Sequence, residues 1–222
     1  MYYSIFLFFL GLVFIFSFAL GIFTILINPK SKNHQLWFLT NVGVTMWSSC
    51  LFIVIFFKLL SPLGITLTRI LHIGSLLLII FFFHFILSFS FKLKQYKIWL
   101  ISGYLIAVFL SLLILITDWV IKGVMPVMKF EVWLEPGKLF LLLVLYFIIY
   151  GYMSIYLLFK EYFNSEGLKK WQSYYILLAG IFGLGGGLII FFANLFNVYP
   201  FGIFFIFLYP LFITYGILLK KS

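Results

Sequence analysis

The sequence predicts an all-α integral membrane protein: a seven-transmembrane helix bundle with its N-terminus outside and its C-terminus cytoplasmic. Three observations predict it. The first is composition, with 65% hydrophobic residues, only 9% charged and a mean hydropathy of +1.24, whereas soluble domains are roughly half apolar. The second is the length of the apolar runs, which reach twenty residues or more with no period-two alternation, as helices crossing a bilayer require and barrel strands do not. The third is the confinement of most lysines to short connectors between those runs, the pattern that sets membrane topology.

The elements follow in order as one domain, residues 1–222. Span one covers about 2–28 and stops at Pro29, which cannot continue a helix. Its apolar run is too long for a cleavable signal peptide, and a positive leader and small-residue cleavage site are missing, so it reads as a retained first helix. Span two covers 35–59 and ends at SPLG. Span three covers 65–91 and is closed by KLKQYK. Span four covers 98–117. The polar segment 118–138 leads into span five, 139–159. The loop KEYFNSEGLKKWQ precedes span six, 173–194. After LFNVYP comes span seven, 201–219.

Orientation follows from counting positive charges. With the first loop inside, the inner set is Lys30, Lys32, Lys92, Lys94, Lys97, Lys160, Lys169, Lys170, Lys220 and Lys221. The outer set is Lys58, Arg69, Lys122, Lys129 and Lys138. Every short inner segment is positive, which places the N-terminus out. The formal net charge of +10 is thereby a topology signal, and nucleic acid is not the expected partner. The lipid bilayer is.

The outer segment carries VIKGVMP and then MKFEVW. The second alternates, so the two read as a short hairpin over the mouth of the bundle, either a lid or a solvated connector. Span six carries GIFGLGGG, from Gly180 to Gly187. No strand precedes it and no Lys-Ser/Thr follows, so it is not a phosphate loop. Small residues at that spacing bring helices close, and such a cluster can also unwind one. Pro210 is expected to kink span seven. The single Cys50 lies in an apolar span and has no partner for a disulfide.

Span three holds Arg69, His72 and His84 inside its apolar run, and ionisable groups in lipid normally face a bundle interior or a wet cavity. At 100° per residue His72 falls about −60° and His84 about +60° from Arg69, so all three share one face. Arg69 and His84 are separated along the axis by about 22 Å and cannot act on one small ligand. Arg69 and His72 belong to the outer end. For Arg69 the competing readings are snorkelling to the headgroups and a cation at the floor of an outward pocket, with Trp47 and Asn194 at similar depth. For His84 they are a structural hydrogen bond and a pH-sensitive switch. A metal hydrolase needs several ligands at one depth, and with His34 in a cytoplasmic loop and the other two histidines far apart, no metal is expected. A Schiff-base photoreceptor needs a buried Lys, and span seven has none before its end. No cofactor is expected.

With these pieces placed, the chain resembles the seven-transmembrane N-terminal sensor region of bacterial histidine kinases. The resemblance rests on NPKSK followed by the Trp47-Ser48 pair, and on Arg69, Gly74 and FHF (Phe83 to Phe85). It continues with Gln172, the glycine run ending at Gly187, YPFG at Tyr199 to Gly202, and the closing TYGILLKK. The resemblance implies a sensor or input module in the bacterial cytoplasmic (inner) membrane. A small ligand would bind in the outer half, against Arg69, His72, Trp47 and Asn194. Helix seven would pass the change to a cytoplasmic kinase or other signalling domain, in cis or trans, with His84, Pro200, Pro210 and Tyr215 as transmission residues and a homodimer as a possible assembly. The chain carries no phosphoacceptor box or ATP-binding domain, so it is expected not to be an enzyme. It is either part of a longer kinase or a short stand-alone relative. The rival class is a small transporter of three-plus-one-plus-three design, which needs matched halves with interrupted helices. KNHQ before span two and KKWQ before span six give a faint echo of such halves.

Overall fold

The computed structural model describes residues 2–127, 129–196 and 198–218. It is about 78% helical, and six helices are long and apolar enough to cross a membrane. Helix α1 is Tyr2–Ile27, α2 is Lys32–Phe56, α3 is Pro62–Phe89 and α4 is Lys97–Ile116. Strands β1, Ile121–Val127, and β2, Phe130–Pro136, precede α5, Phe140–Asn164, and α6, Gly167–Phe196. Two short helices follow, α7 at Ile203–Ile206 and α8 at Tyr209–Leu218. The chain is thus an all-α membrane bundle with a small two-stranded hairpin at one end.

Helix α3 is the most buried of the six long helices and touches α2, α4, α5 and β1. It starts cleanly because Ser61 is extended and Pro62 takes the first turn, where its missing N–H has no partner to lose. Its pairing with α2 is the most extensive in the fold. Glycines permit the approach: a Cβ on Gly43 would lie 2.6 Å from the Leu78 nitrogen and 2.8 Å from the Gly74 carbonyl oxygen. Helix α4 sits at the periphery, with few buried residues and a wide face of exposed apolar side chains such as Leu105, Val108 and Phe109. In lipid such a face is solvated, not stranded.

The hairpin expected from VIKGVMP and MKFEVW forms, antiparallel, with Val124 opposite Leu134 and Met125 opposite Trp133. The glycine cluster of span six does not unwind its helix; it packs. A Cβ at Gly183 would lie 2.3 Å from the Tyr209 ring, and one at Gly186 would lie 2.6 Å from the Gly202 carbonyl oxygen.

Several sequence expectations are corrected. Span seven, expected as one helix over 201–219, is broken at Phe207–Leu208 into α7 and α8. Pro210 lies in the first turn of α8, directly after that break, so the interruption expected of it falls in the turn before it, where its missing N–H and its ring act. Span six begins at Gly167, not 173, and span five runs to Asn164, not 159. Both helices outrun their apolar cores, because hydropathy marks the lipid-facing length and helical hydrogen bonding continues beyond it. Span three runs three residues earlier at its start and two shorter at its end than expected, and span two starts at Lys32. Met128, Asn197 and the closing Leu219, Lys220 and Lys221 lie outside the described residues.

Candidate functional site

A cavity of about 60 Å³ opens in the half of the bundle nearest the hairpin. Its walls come from α2 (Val44, Trp47, Leu51), α3 (Thr68, His72, Ser75), α5 (Phe147) and the glycine-rich part of α6. Strand β2 lies across it through Val132, Trp133 and Leu134, and α7 and α8 close it with Ile206 and Tyr209. The lining is mostly apolar, and the few polar groups are specific in what they offer.

His72 is buried, and its Nδ1 donates to the Thr68 carbonyl at 2.7 Å. That bond places the proton on Nδ1 and leaves Nε2 of the neutral ring as an acceptor. The ring packs edge-on to Phe140, centroids 5.8 Å apart. Asn194 Oδ1 accepts from Trp133 Nε1 at 2.7 Å, a buried bond that ties the hairpin to α6 and leaves the Asn194 amide hydrogens as donors. Ser75 and Thr68 spend their hydroxyl hydrogens on the His72 and Gly64 carbonyls of their own helix. Tyr209 is 2% exposed and its hydroxyl has no hydrogen-bond partner among the described residues. A buried hydroxyl without a partner is costly and uncommon.

Three of the four expected ligand residues, His72, Trp47 and Asn194, therefore line one cavity. Arg69 does not. Its guanidinium bonds the Leu115 carbonyl and pairs with the Asp118 carboxylate at the end of α4, and it forms no part of the cavity lining. The shared face expected for Arg69, His72 and His84 divides for the same reason. His84 pairs with the Tyr104 hydroxyl of α4 at 2.9 Å, so the +60° and 0° positions meet α4 while the −60° position meets the cavity. A 120° arc on a central helix is wide enough to face two neighbours.

Comparison with protein-family models, with curated proteins and with solved structures returns no match.

Of the remaining expected residues, His84 lies on α3 and the other three on the last stretch of the chain. Pro200 is buried in the connector before α7, and Pro210 is buried beside Tyr209. Tyr215 is more than half exposed and sets its ring edge-on to Tyr175 of α6, centroids 4.7 Å apart. His84 faces α4 and not α8. Sequence reasoning missed Trp133 and Tyr209. Alternation marked the hairpin, but the second face of a strand that plugs a bundle is read from neither period nor hydropathy. Tyr209 was one tyrosine among fourteen, signalled only by its place before Pro210.

Proposed function

We propose that the chain is the membrane input module of a bacterial signal-transduction receptor of histidine-kinase type. In this reading it spans the inner membrane seven times, N-terminus out, with α7 and α8 together as the seventh span. The cavity under the hairpin takes a small, uncharged, largely apolar ligand, since no charged side chain lines it among the described residues. The observation that carries the reading is Tyr209. One residue lines the cavity, starts the last helix, sits over Gly183 and packs on Trp37 at 5.3 Å between ring centroids. A ligand that displaces that ring, or bonds its hydroxyl, acts directly on the break between α7 and α8. Helix α8 then runs to the Lys-rich end, tied on the way by the bond from Trp37 Nε1 to Thr214 Oγ1 at 3.3 Å. Different ligand affinity for two placements of α8 is the physical requirement for such a switch. The output, a kinase or other signalling domain in cis or trans, would receive it there.

The test is thermal unfolding of the nanodisc-embedded chain against a library of small uncharged compounds. A compound should raise the Tm of the native chain and shift the distance between spin labels at Lys160 and Leu218 in a Cys50→Ala background. Tyr209→Phe should weaken the effect of compounds that bond its hydroxyl. If every binder leaves the label distance unmoved, or the same compounds cross proteoliposomes through the chain, the sensor reading is wrong and transport replaces it. Topology is tested separately: a membrane-impermeant maleimide on intact cells should label Pro126→Cys and spare Lys94→Cys.

A further inference from the structure

The basic residues divide by how they are paired. At the hairpin end Lys58, Arg69 and Lys122 each meet an acid, Glu131, Asp118 and Glu135 in turn. At the opposite end Lys169 donates to the Phe89 carbonyl at 2.6 Å and lies 3.9 Å from Glu161. Lys32, Lys92, Lys94, Lys97 and Lys170 have no ion pair among the described residues, and all but Lys92 are exposed. Lys92, Lys94 and Lys97 fall together between the end of α3 and the start of α4. There the Tyr96 amide donates to the Lys92 carbonyl at 3.1 Å, which closes the connector into one turn.

The same turn displays apolar side chains. Helix α3 stops through two bonds, from the Phe91 amide to the Ser88 carbonyl at 3.2 Å and from the Lys92 amide to the Leu87 carbonyl at 2.9 Å. This capping pattern ordinarily has Gly at its left-handed position, but Phe91 occupies it at φ 57°. A bulky side chain is strained there. The ring is 89% exposed, so packing within the bundle does not account for it. Ile98 and Trp99, in the first turn of α4, are exposed as well. The turn joins two helices each long enough to cross a bilayer, which places it at headgroup level. At that level ammonium groups meet phosphates while apolar side chains reach the acyl boundary.

We propose that the turn from Phe91 to Lys97 binds the headgroup of an anionic phospholipid. Lys92, Lys94 and Lys97 bring their charge to the phosphate, and the Phe91 ring lies against the acyl chains beside it. A zwitterionic lipid is disfavoured because its own ammonium opposes the lysines. A soluble acidic protein matches the charge alone, whereas a lipid matches the charge and the exposed apolar side chains together. The site is the same whichever side of the bilayer this end faces, and it needs no ligand in the hairpin cavity.

The probes are phosphatidylglycerol and phosphatidylcholine with identical diazirine-bearing acyl chains, photolysed separately with the chain in phosphatidylcholine nanodiscs. Phosphatidylglycerol should label peptides from the α3–α4 turn about fivefold more or better, since one lysine at an anionic surface contributes about that factor. Lys92→Gln, Lys94→Gln and Lys97→Gln combined should bring the two lipids level, and Arg at all three positions should keep the preference. Lys58→Gln with Lys122→Gln should leave it unchanged. Phe91→Gly relieves the left-handed strain, so it should raise the Tm without phosphatidylglycerol and weaken the labelling. On the native chain, which avoids any question of a variant's folding, about 0.5 M salt should sharply reduce the preference. Equal labelling by the two lipids, or a preference that survives the Gln substitutions or the salt, overturns the proposal. Displacement of phosphatidylglycerol by soluble polyglutamate also overturns it and assigns the turn to an acidic protein.

Discussion

Trp133 holds the hairpin to the bundle by one buried hydrogen bond, donated to Asn194 Oδ1 at 2.7 Å. Trp133→Phe keeps an aromatic ring there and leaves the Asn194 carbonyl unpaired, which costs about 1–3 kcal/mol. The loss should appear as a lower midpoint in denaturant unfolding, together with faster proteolysis within 121–136. Tyr209 is the opposite case. Its hydroxyl has no partner to lose among the described residues, so Tyr209→Phe should leave the Tm unchanged or raise it. A clear drop would mean that the hydroxyl is satisfied in the membrane. Arg69 separates stability from binding. Its ion pair with Asp118 joins α3 to the connector after α4, with the arginine mostly covered and the carboxylate exposed, and a pair open to solvent on one side contributes about 1 kcal/mol. Arg69→Ala should therefore lower the Tm slightly and leave binding in the cavity untouched. The charge of Arg69 was legible in the sequence, but its partner was not, because Asp118 is 49 residues away.

Among the elements, the α2–α3 crossing is the most extensive joint described. Gly43→Ala places a methyl against backbone atoms that cannot rotate away, and overpacking of this kind costs about 1–3 kcal/mol. Gly185→Ala is the control, with nothing within 4 Å of the new methyl, and should gain up to about 1 kcal/mol from better helix propensity. Thermal unfolding of both variants in one detergent checks the contrast. Two ion pairs serve the hairpin: Lys58 with Glu131 at 2.5 Å ties it to the connector between α2 and α3, and Lys122 with Glu135 joins its two strands. The hydrogen-bonded carboxylate raises each lysine above its ordinary value of 10.5. A raised lysine contributes its stabilisation in full below the unfolded-state value and loses it as pH climbs through the raised one. The hairpin should therefore hold across neutral pH and loosen only above about pH 10.5. NMR titration of ¹³C-methylated lysines checks this, with Glu131→Gln and Glu135→Gln returning each signal to ordinary behaviour. Hairpin formation was legible from alternation. That β2 lies across the cavity was not, since strand period identifies faces without saying what covers them.

For the molecule as a whole, composition and hydropathy were enough to specify a helical membrane bundle, and alternation a hairpin at one end. These properties are local: twenty apolar residues in lipid must satisfy their own backbone, and only a helix does so within one segment. The central place of span three was also legible, because ionisable residues in lipid demand protein around them. Tertiary structure alone decided the rest. It sent Arg69 and His84 to α4 and His72 to the cavity, since a 120° arc can serve two neighbours and the arc does not choose between them. It broke the last span at Phe207–Leu208, set Tyr209 against Gly183, and buried Ser17 Oγ and Asn41 Oδ1 without a hydrogen-bond partner among the described residues. Each of these depends on which helices lie side by side. In lipid that choice is made by close packing of small residues and by pairing of polar ones across the bundle, information that no single stretch of the chain contains.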